Sequence, residues 1–136
     1  MQEYYLTELL GIQGYSVIAI EHITGQPGQS TVRVTLDRTR RDYVCGGCGR
    51  TVPHAYDHSW QELRHLPLWG HQTALYFQRY RVACPTCGVR TEALEFADVR
   101  GPRVTRALGA LIHELCKVTT VKAAALLFDL HRHTVK

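Results

Sequence analysis

Along the chain the spacing of hydrophobic positions changes period near residue 100: strand-like before it, helical after it. Residues 15–23 are rich in β-branched side chains. Thr31–Asp37 alternates, with Val32, Val34 and Leu36 on one side and Arg33, Thr35 and Asp37 on the other. Between these two strands Gly25-Gln26-Pro27-Gly28 predicts a turn. Ahead of them, residues 1–13 predict a short helix, with Tyr5, Leu9, Leu10 and Ile12 near one face and Gly11 and Gly14 ending it. Residues 54–60 are polar and predict a loop. Leu63, Leu66, Leu68 and Trp69 then run into a turn at Gly70, and a long strand over 72–83 carries Leu75, Tyr76, Phe77, Tyr80 and Val82. Its alternation fails around Gln78 and Arg79, which implies burial on both faces or a bulge. After Gly101-Pro102, Val104, Leu108, Leu111, Ile112 and Leu115 recur at helical spacing, and Cys116 ends that helix as a small buried apolar residue. Thr119 or Thr120 is an N-cap for a second helix over 121–128. The expected fold is α+β: a β-rich domain over 1–97, built on a small antiparallel sheet, then a helical segment over 98–136.

Two cysteine pairs punctuate the β part, Cys45-Gly46-Gly47-Cys48-Gly49 and Cys84-Pro85-Thr86-Cys87-Gly88. A two-residue spacer lets both thiolates address one ion, and glycine after the second cysteine permits a tight turn beneath it. Two such knuckles supply four sulfurs, enough to close a tetrahedral zinc site that is structural because it leaves no open position. A redox C-x-x-C usually opens a helix, whereas each pair here lies in a turn beside a strand pattern. Paired disulfides would suit a secreted chain, but nothing before Cys45 resembles a signal peptide. An iron–sulfur cluster is the remaining competitor. His54, His58 and His65 lie between the pairs; with four thiolates present they read as surface or hydrogen-bonding residues.

Composition adds two constraints. The 136 residues carry a net charge of +4, and 13 of the 16 basic side chains are arginine. Arginine suits bidentate phosphate and guanine contacts, although an arginine-rich genome would give the same composition. The run Asp37-Arg38-Thr39-Arg40-Arg41-Asp42 leads into the first knuckle and reads either as a solvated strand end or as a phosphate-facing edge. Four of the five cysteines stand at metal-binding spacing, which suits a reducing cytoplasm. No apolar run approaches the ~20 residues needed to span a bilayer, so a membrane is not an expected partner.

Residues 121–136 have the grammar of a helix-turn-helix. Ala123, Ala124 and Ala125 allow close helix approach, a turn follows at 129–133, and Thr134-Val135 opens a recognition helix. Arg132, His133, Thr134 and Lys136 would stand at its N-terminal end, where base edges and phosphates are met. A plain helical hairpin used for packing or dimerisation is the competing reading.

The order of these parts resembles a known family. It runs from strands and a first C-x-x-C to Leu63-Arg64-His65-Leu66-Pro67-Leu68-Trp69-Gly70-His71. A strand ending Tyr80-Arg81-Val82-Ala83-Cys84-Pro85 follows, then Cys87-Gly88-Val89-Arg90-Thr91-Glu92, the Val104-Thr105-Arg106 helix start and the helix-turn-helix. Over about residues 40–136 the chain looks like the N-terminal part of bacterial insertion-sequence transposases of the ISL-three family. The resemblance implies that Cys45, Cys48, Cys84 and Cys87 hold one structural zinc ion, and that ribbon and helix-turn-helix bind the double-stranded terminal inverted repeats of a transposon. Arg38, Arg40, Arg41, Arg50, Arg81, Arg90, Arg132, His133, Thr134 and Lys136 are the candidate DNA contacts. A homodimer or larger transposition complex is the expected assembly. In the family an acidic triad on an RNase H-like fold follows these modules. Asp37, Asp42, Asp57, Asp98 and Asp129 offer no such strand-borne set, so no enzymatic activity is expected of these residues. The alternative is a zinc-stabilised protein-interaction or transcription-regulatory module.

Overall fold

A computed structural model describes residues 10, 12–24, 30–68, 71–99, 101–128 and 130. The predicted helix over 1–13 therefore lies outside the described residues except for Leu10, Ile12 and Gln13. The same holds for the turn at 25–28, and for Arg132, His133, Thr134 and Lys136 with the rest of the predicted recognition helix.

Among the described residues seven strands are followed by two helices. They are β1 (Tyr15–Thr24), β2 (Ser30–Arg38), β3 (Tyr43–Val44), β4 (Thr51–Val52), β5 (Asp57–Leu68), β6 (His71–Cys84) and β7 (Gly88–Thr91), followed by α1 (Arg106–Leu115) and α2 (Val121–Leu127). The main sheet runs β1-β2-β6-β5, with β7 also paired to β6, and β3-β4 form a separate two-stranded sheet. It is not the purely antiparallel sheet that the sequence suggested, because β2 and β6 run parallel from Thr31↔Gln72 to Thr35↔Tyr76. The chain between them is long enough to carry β3, β4 and β5 and to return in the same direction, which a short hairpin cannot do.

β6 organises the whole. β5 lies along one side of it from His71 to Arg81, while on the other side β2 pairs with Gln72–Tyr76 and β7 with Arg81–Cys84. Flanked on both edges, β6 buries Thr73, Ala74 and Leu75 in succession. Around Gln78 and Arg79, however, burial still alternates and the ladder is regular, so neither two-sided burial nor a bulge breaks the hydrophobic alternation. The inward position holds a buried arginine, Arg79; the irregularities fall at Val17/Ala19 and at His65/Leu68. Residues 57–60, expected in a loop, begin β5. Their side chains are largely solvent-facing, so no apolar alternation marks the strand.

One face of the sheet builds the main core. Val17, Val34, Leu36, Leu63, Leu75 and Phe77 pack there under Leu10, Ile12, Leu94, Phe96 and Ala97. Tyr15, Phe77 and Phe96 meet edge to face with centroids 5.5–5.7 Å apart. The helices form a second cluster, in which Leu108, Ile112 and Phe128 pack with Leu66, Val104 and Leu115. Cys116, half-buried, caps α1 and joins this cluster as an apolar residue. Thr105 and Thr120 cap α1 and α2, accepting from the backbone N–H of Leu108 and Ala123.

His65 ties three segments together. Nε2 is 3.0 Å from the Leu10 carbonyl and Nδ1 is 2.7 Å from the Thr105 hydroxyl. A carbonyl only accepts, so Nε2 carries the hydrogen. Nδ1 then accepts from the Thr105 hydroxyl, whose oxygen still accepts from Leu108. Burial lowers the His65 pKa and keeps the ring neutral, against the weaker opposing effect of the Leu10 carbonyl.

Candidate metal centre

Each cysteine pair occupies the turn of a hairpin, Cys45–Cys48 between β3 and β4 and Cys84–Cys87 between β6 and β7. The turns close alike. Gly49 and Gly88 follow the second cysteine with φ of +78° and +79°, the left-handed region in which a side chain would be strained. Glycine is needed at Gly46 for another reason: its N–H donates to the Thr91 carbonyl at 3.0 Å, and a Cβ there would collide with that oxygen. Ala93 N–H donates to the Val44 carbonyl at 2.8 Å, so the two hairpins are also joined through their backbones.

This arrangement gathers the four sulfurs within 4.8 Å of one another. Cys48 Sγ and Cys84 Sγ stand 3.6 Å apart. A regular tetrahedron with metal–sulfur bonds of about 2.3 Å has edges of about 3.8 Å, so the cage fits one zinc ion. The local electrostatics agree. Backbone N–H groups of Cys87 and Thr86 lower the Cys84 pKa to about 6, and those of Cys48 and Gly47 lower that of Cys45. Cys87 is pushed up to about 12, first by its hydrogen bond with Cys48, then by burial and Cys45. The Cys84 and Cys45 thiols are thus eased toward the thiolate that a metal needs, and a bound dication would offset what opposes ionising Cys87. Cys45 and Cys84 are buried, Cys87 is half-buried and Cys48 is exposed. His54 and His58 are exposed, and His65 is engaged elsewhere.

A buried ionic network lies directly behind the cage. Cys45 forms a β-bridge with Glu92, whose side chain is fully buried. Arg38 donates to Glu92 at 3.0 Å and to the Asp42 carbonyl at 2.7 Å, and its guanidinium lies 4.2 Å from the centre of the Tyr43 ring. Tyr80 N–H donates to the same carboxylate, while Arg79 donates to Gln61 and to the carbonyls of Glu92 and Asp98. Composition alone did not reveal this network; the broken alternation at Gln78 and Arg79 was its only trace.

The candidate DNA-binding arginines divide into two groups. Arg38, expected on a phosphate-facing edge, is turned inward onto Glu92 with its side chain only 11 % exposed. Arg81 forms a bidentate pair with Asp57, and Arg40 pairs with Glu95 at 3.2 Å. Arg41, Arg50 and Arg90 are exposed; Arg41 and Arg50 flank the first knuckle and Arg90 follows the second.

Residues 42–87 match the protein family described as the zinc-finger of transposase IS204/IS1001/IS1096/IS1165. The chain is also similar to the transposase for insertion sequence element IS1001 of Bordetella parapertussis, at 32 % identity over 132 residues. That alignment takes in 96 % of this chain and 32 % of the relative, so the chain spans about a third of its length. No solved structure matches. The chain is therefore transposase-like and carries a zinc ribbon; the family match and the clustered cysteines point to one structural zinc ion. Among the described residues no helix is long and apolar enough to cross a membrane.

Proposed function

We propose that this chain is a DNA-binding module of a transposase, in which a zinc ribbon ligated by Cys45, Cys48, Cys84 and Cys87 presents arginine to transposon-end duplex. The observation that carries the reading is the ribbon itself: four converging sulfurs inside the segment that matches a transposase zinc-finger. Zinc acts here as a brace with no open coordination position, so chemistry on DNA is no part of its role. Arg41 and Arg50 flank the first knuckle in sequence and Arg90 follows the second, and their exposure supports a phosphate-contacting role; Arg40 and Arg81 would first have to exchange a carboxylate for a phosphate. Base reading is assigned to His133 and Thr134 on the strength of the helix-turn-helix pattern in the sequence of residues 121–136.

Fluorescence anisotropy of the zinc-loaded chain with inverted-repeat and scrambled duplexes tests this. Affinity should fall steeply with salt as condensed counterions are released. Alanine at Arg41, Arg50 and Arg90 should weaken all duplexes alike and flatten the salt slope, whereas changes at His133 or Thr134 should alter the preference between duplexes. A protein-interaction role is favoured by one observation, the outward-facing Val118, Leu126 and Leu127 of the helical pair. No anisotropy change with any duplex at low salt would select that role instead.

A further inference from the structure

The face of the sheet opposite the main core carries a second feature, bordering the buried network behind the ribbon. Cross-strand partners share a face, so the register places His58 with Tyr80, Trp60 with Gln78, and Glu62 with Tyr76 and Thr35. Trp60 stacks on Tyr76 with centroids 4.6 Å apart and planes 16° from parallel. Arg33 lies 4.9 Å from the Tyr76 ring centre, held by Glu62 at 3.3 Å. Despite these neighbours Trp60 remains 50 % exposed. An indole fixed by stacking on one side and left in water on the other is a platform.

Beside it the sheet is split. β2 follows β6 only as far as Thr35↔Tyr76, and β7 takes over at Arg81. The gap holds a cavity of about 200 Å³ whose walls include Ile18, Asp37, Arg38, Trp60, Gln78 and Tyr80. Drug-sized ligands occupy about 300–1,000 Å³, so this one suits a single flat ring system with its attachments outside. Trp60 supplies the open π face, while the Tyr80 ring in the wall is already packed by Tyr43, His58 and the Arg38 guanidinium. Asp37 accepts hydrogen bonds and the Gln78 amide donates them; Arg38 lies in the wall with its charge paired to Glu92, and Arg33 beside Tyr76 is paired to Glu62. Aromatic faces with mixed donors and acceptors, on an open sheet beside arginine, are the means by which proteins hold unpaired bases.

We propose that this cleft binds an unpaired nucleobase of a DNA strand, as at a frayed or nicked end, with Trp60 as the stacking residue. The proposal rests on the nucleic-acid reading above and adds to it a preference for single-stranded DNA at a site separate from the ribbon.

The test uses the zinc-loaded full chain with three probes: a short oligothymidine, a flush-ended duplex, and the same duplex with a single-stranded tail. In a Trp69→Phe background, which leaves Trp60 as the sole indole, oligothymidine and the tailed duplex should quench fluorescence more than the flush duplex. Trp60→Ala should weaken the first two probes roughly ten-fold, a typical stacking contribution, and leave the flush duplex unchanged. Trp60→Phe should retain most of the affinity. Zinc content and melting temperature matching the parent protein establish that the variants are folded. Should Trp60→Ala leave oligothymidine binding unchanged, or weaken tailed and flush duplexes equally, the cleft is not a base site. Flush-duplex binding without oligothymidine binding would overturn this proposal alone; binding to none of the three would overturn the nucleic-acid reading as well.

Discussion

The sheet core and the ribbon share strand β6 but are held together by different forces. Around Leu75 and Phe77 a dozen buried residues pack from five segments of the chain, enough for apolar burial to dominate. Around the cage, the buried apolar set is Cys45, Val52, Val82 and Cys84, with Tyr43 and Cys87 partly covered. Three of these six are candidate metal ligands. Burying Val52 and Val82 contributes about 1.5–3 kcal/mol each, whereas a structural zinc ion in a small finger contributes about 10–16 kcal/mol. One end of β6 is therefore secured by side-chain packing and the other by coordination, and each end should fail under a different insult.

The largest expected effect separates them directly. Chelation, or Cys84→Ser, should release the metal and abolish hydrogen-exchange protection over 43–52 and 82–92, while amides of Leu63, Leu75 and Phe77 stay protected. Loss of protection throughout β6 would mean that the two ends do not fold separately. The converse experiment is Phe77→Ala, expected to cost about 3–5 kcal/mol in denaturant melts while leaving one zinc per folded chain. A smaller effect is expected where the regions meet. Glu92→Gln keeps the shape but removes the charge that Arg38 and Tyr80 N–H address, and should cost about 1.5–3 kcal/mol; an unchanged stability would show that the network does not couple core to ribbon.

Smallest is a pH effect confined to the sheet side. The folded pKa of His65 lies below its unfolded value of about 6.5. Above that value both states are neutral and the contribution is complete. As pH falls below it, the unfolded chain takes up a proton that the folded ring refuses, and stability declines toward the lower folded pKa. The decline is at most about 1.4 kcal/mol per pH unit. His65→Asn should remove this slope between pH 7 and 5.5 while keeping whatever acid sensitivity the thiolates confer.

The sequence disclosed these two ends unequally. The cage was legible because four cysteines at fixed spacing have few alternative uses, and the glycine after each pair foretold the positive-φ turn. Strands β1, β2 and β6 were legible from their β-branched and aromatic content. The parallel β2–β6 pairing was not, since strand direction depends on a long crossover and not on local pattern. The start of β5 was hidden because Asp57, His58 and Ser59 face water, and their partners Arg81, Tyr80 and Arg79 become apparent only once the register is known. Arg38 misled for a related reason. A guanidinium in a charged run looks like surface, and only the fold brings a buried carboxylate from 54 residues further along the chain to meet it.

The central claim is that one zinc ion in a four-sulfur cage, closed by two hairpin turns distant in sequence, holds the ribbon together. X-ray absorption at the zinc edge of the purified chain addresses it most directly. One equivalent of zinc with four sulfur neighbours at about 2.3 Å is the predicted result; a mixed sulfur–nitrogen shell, or no bound zinc in folded protein, would contradict it.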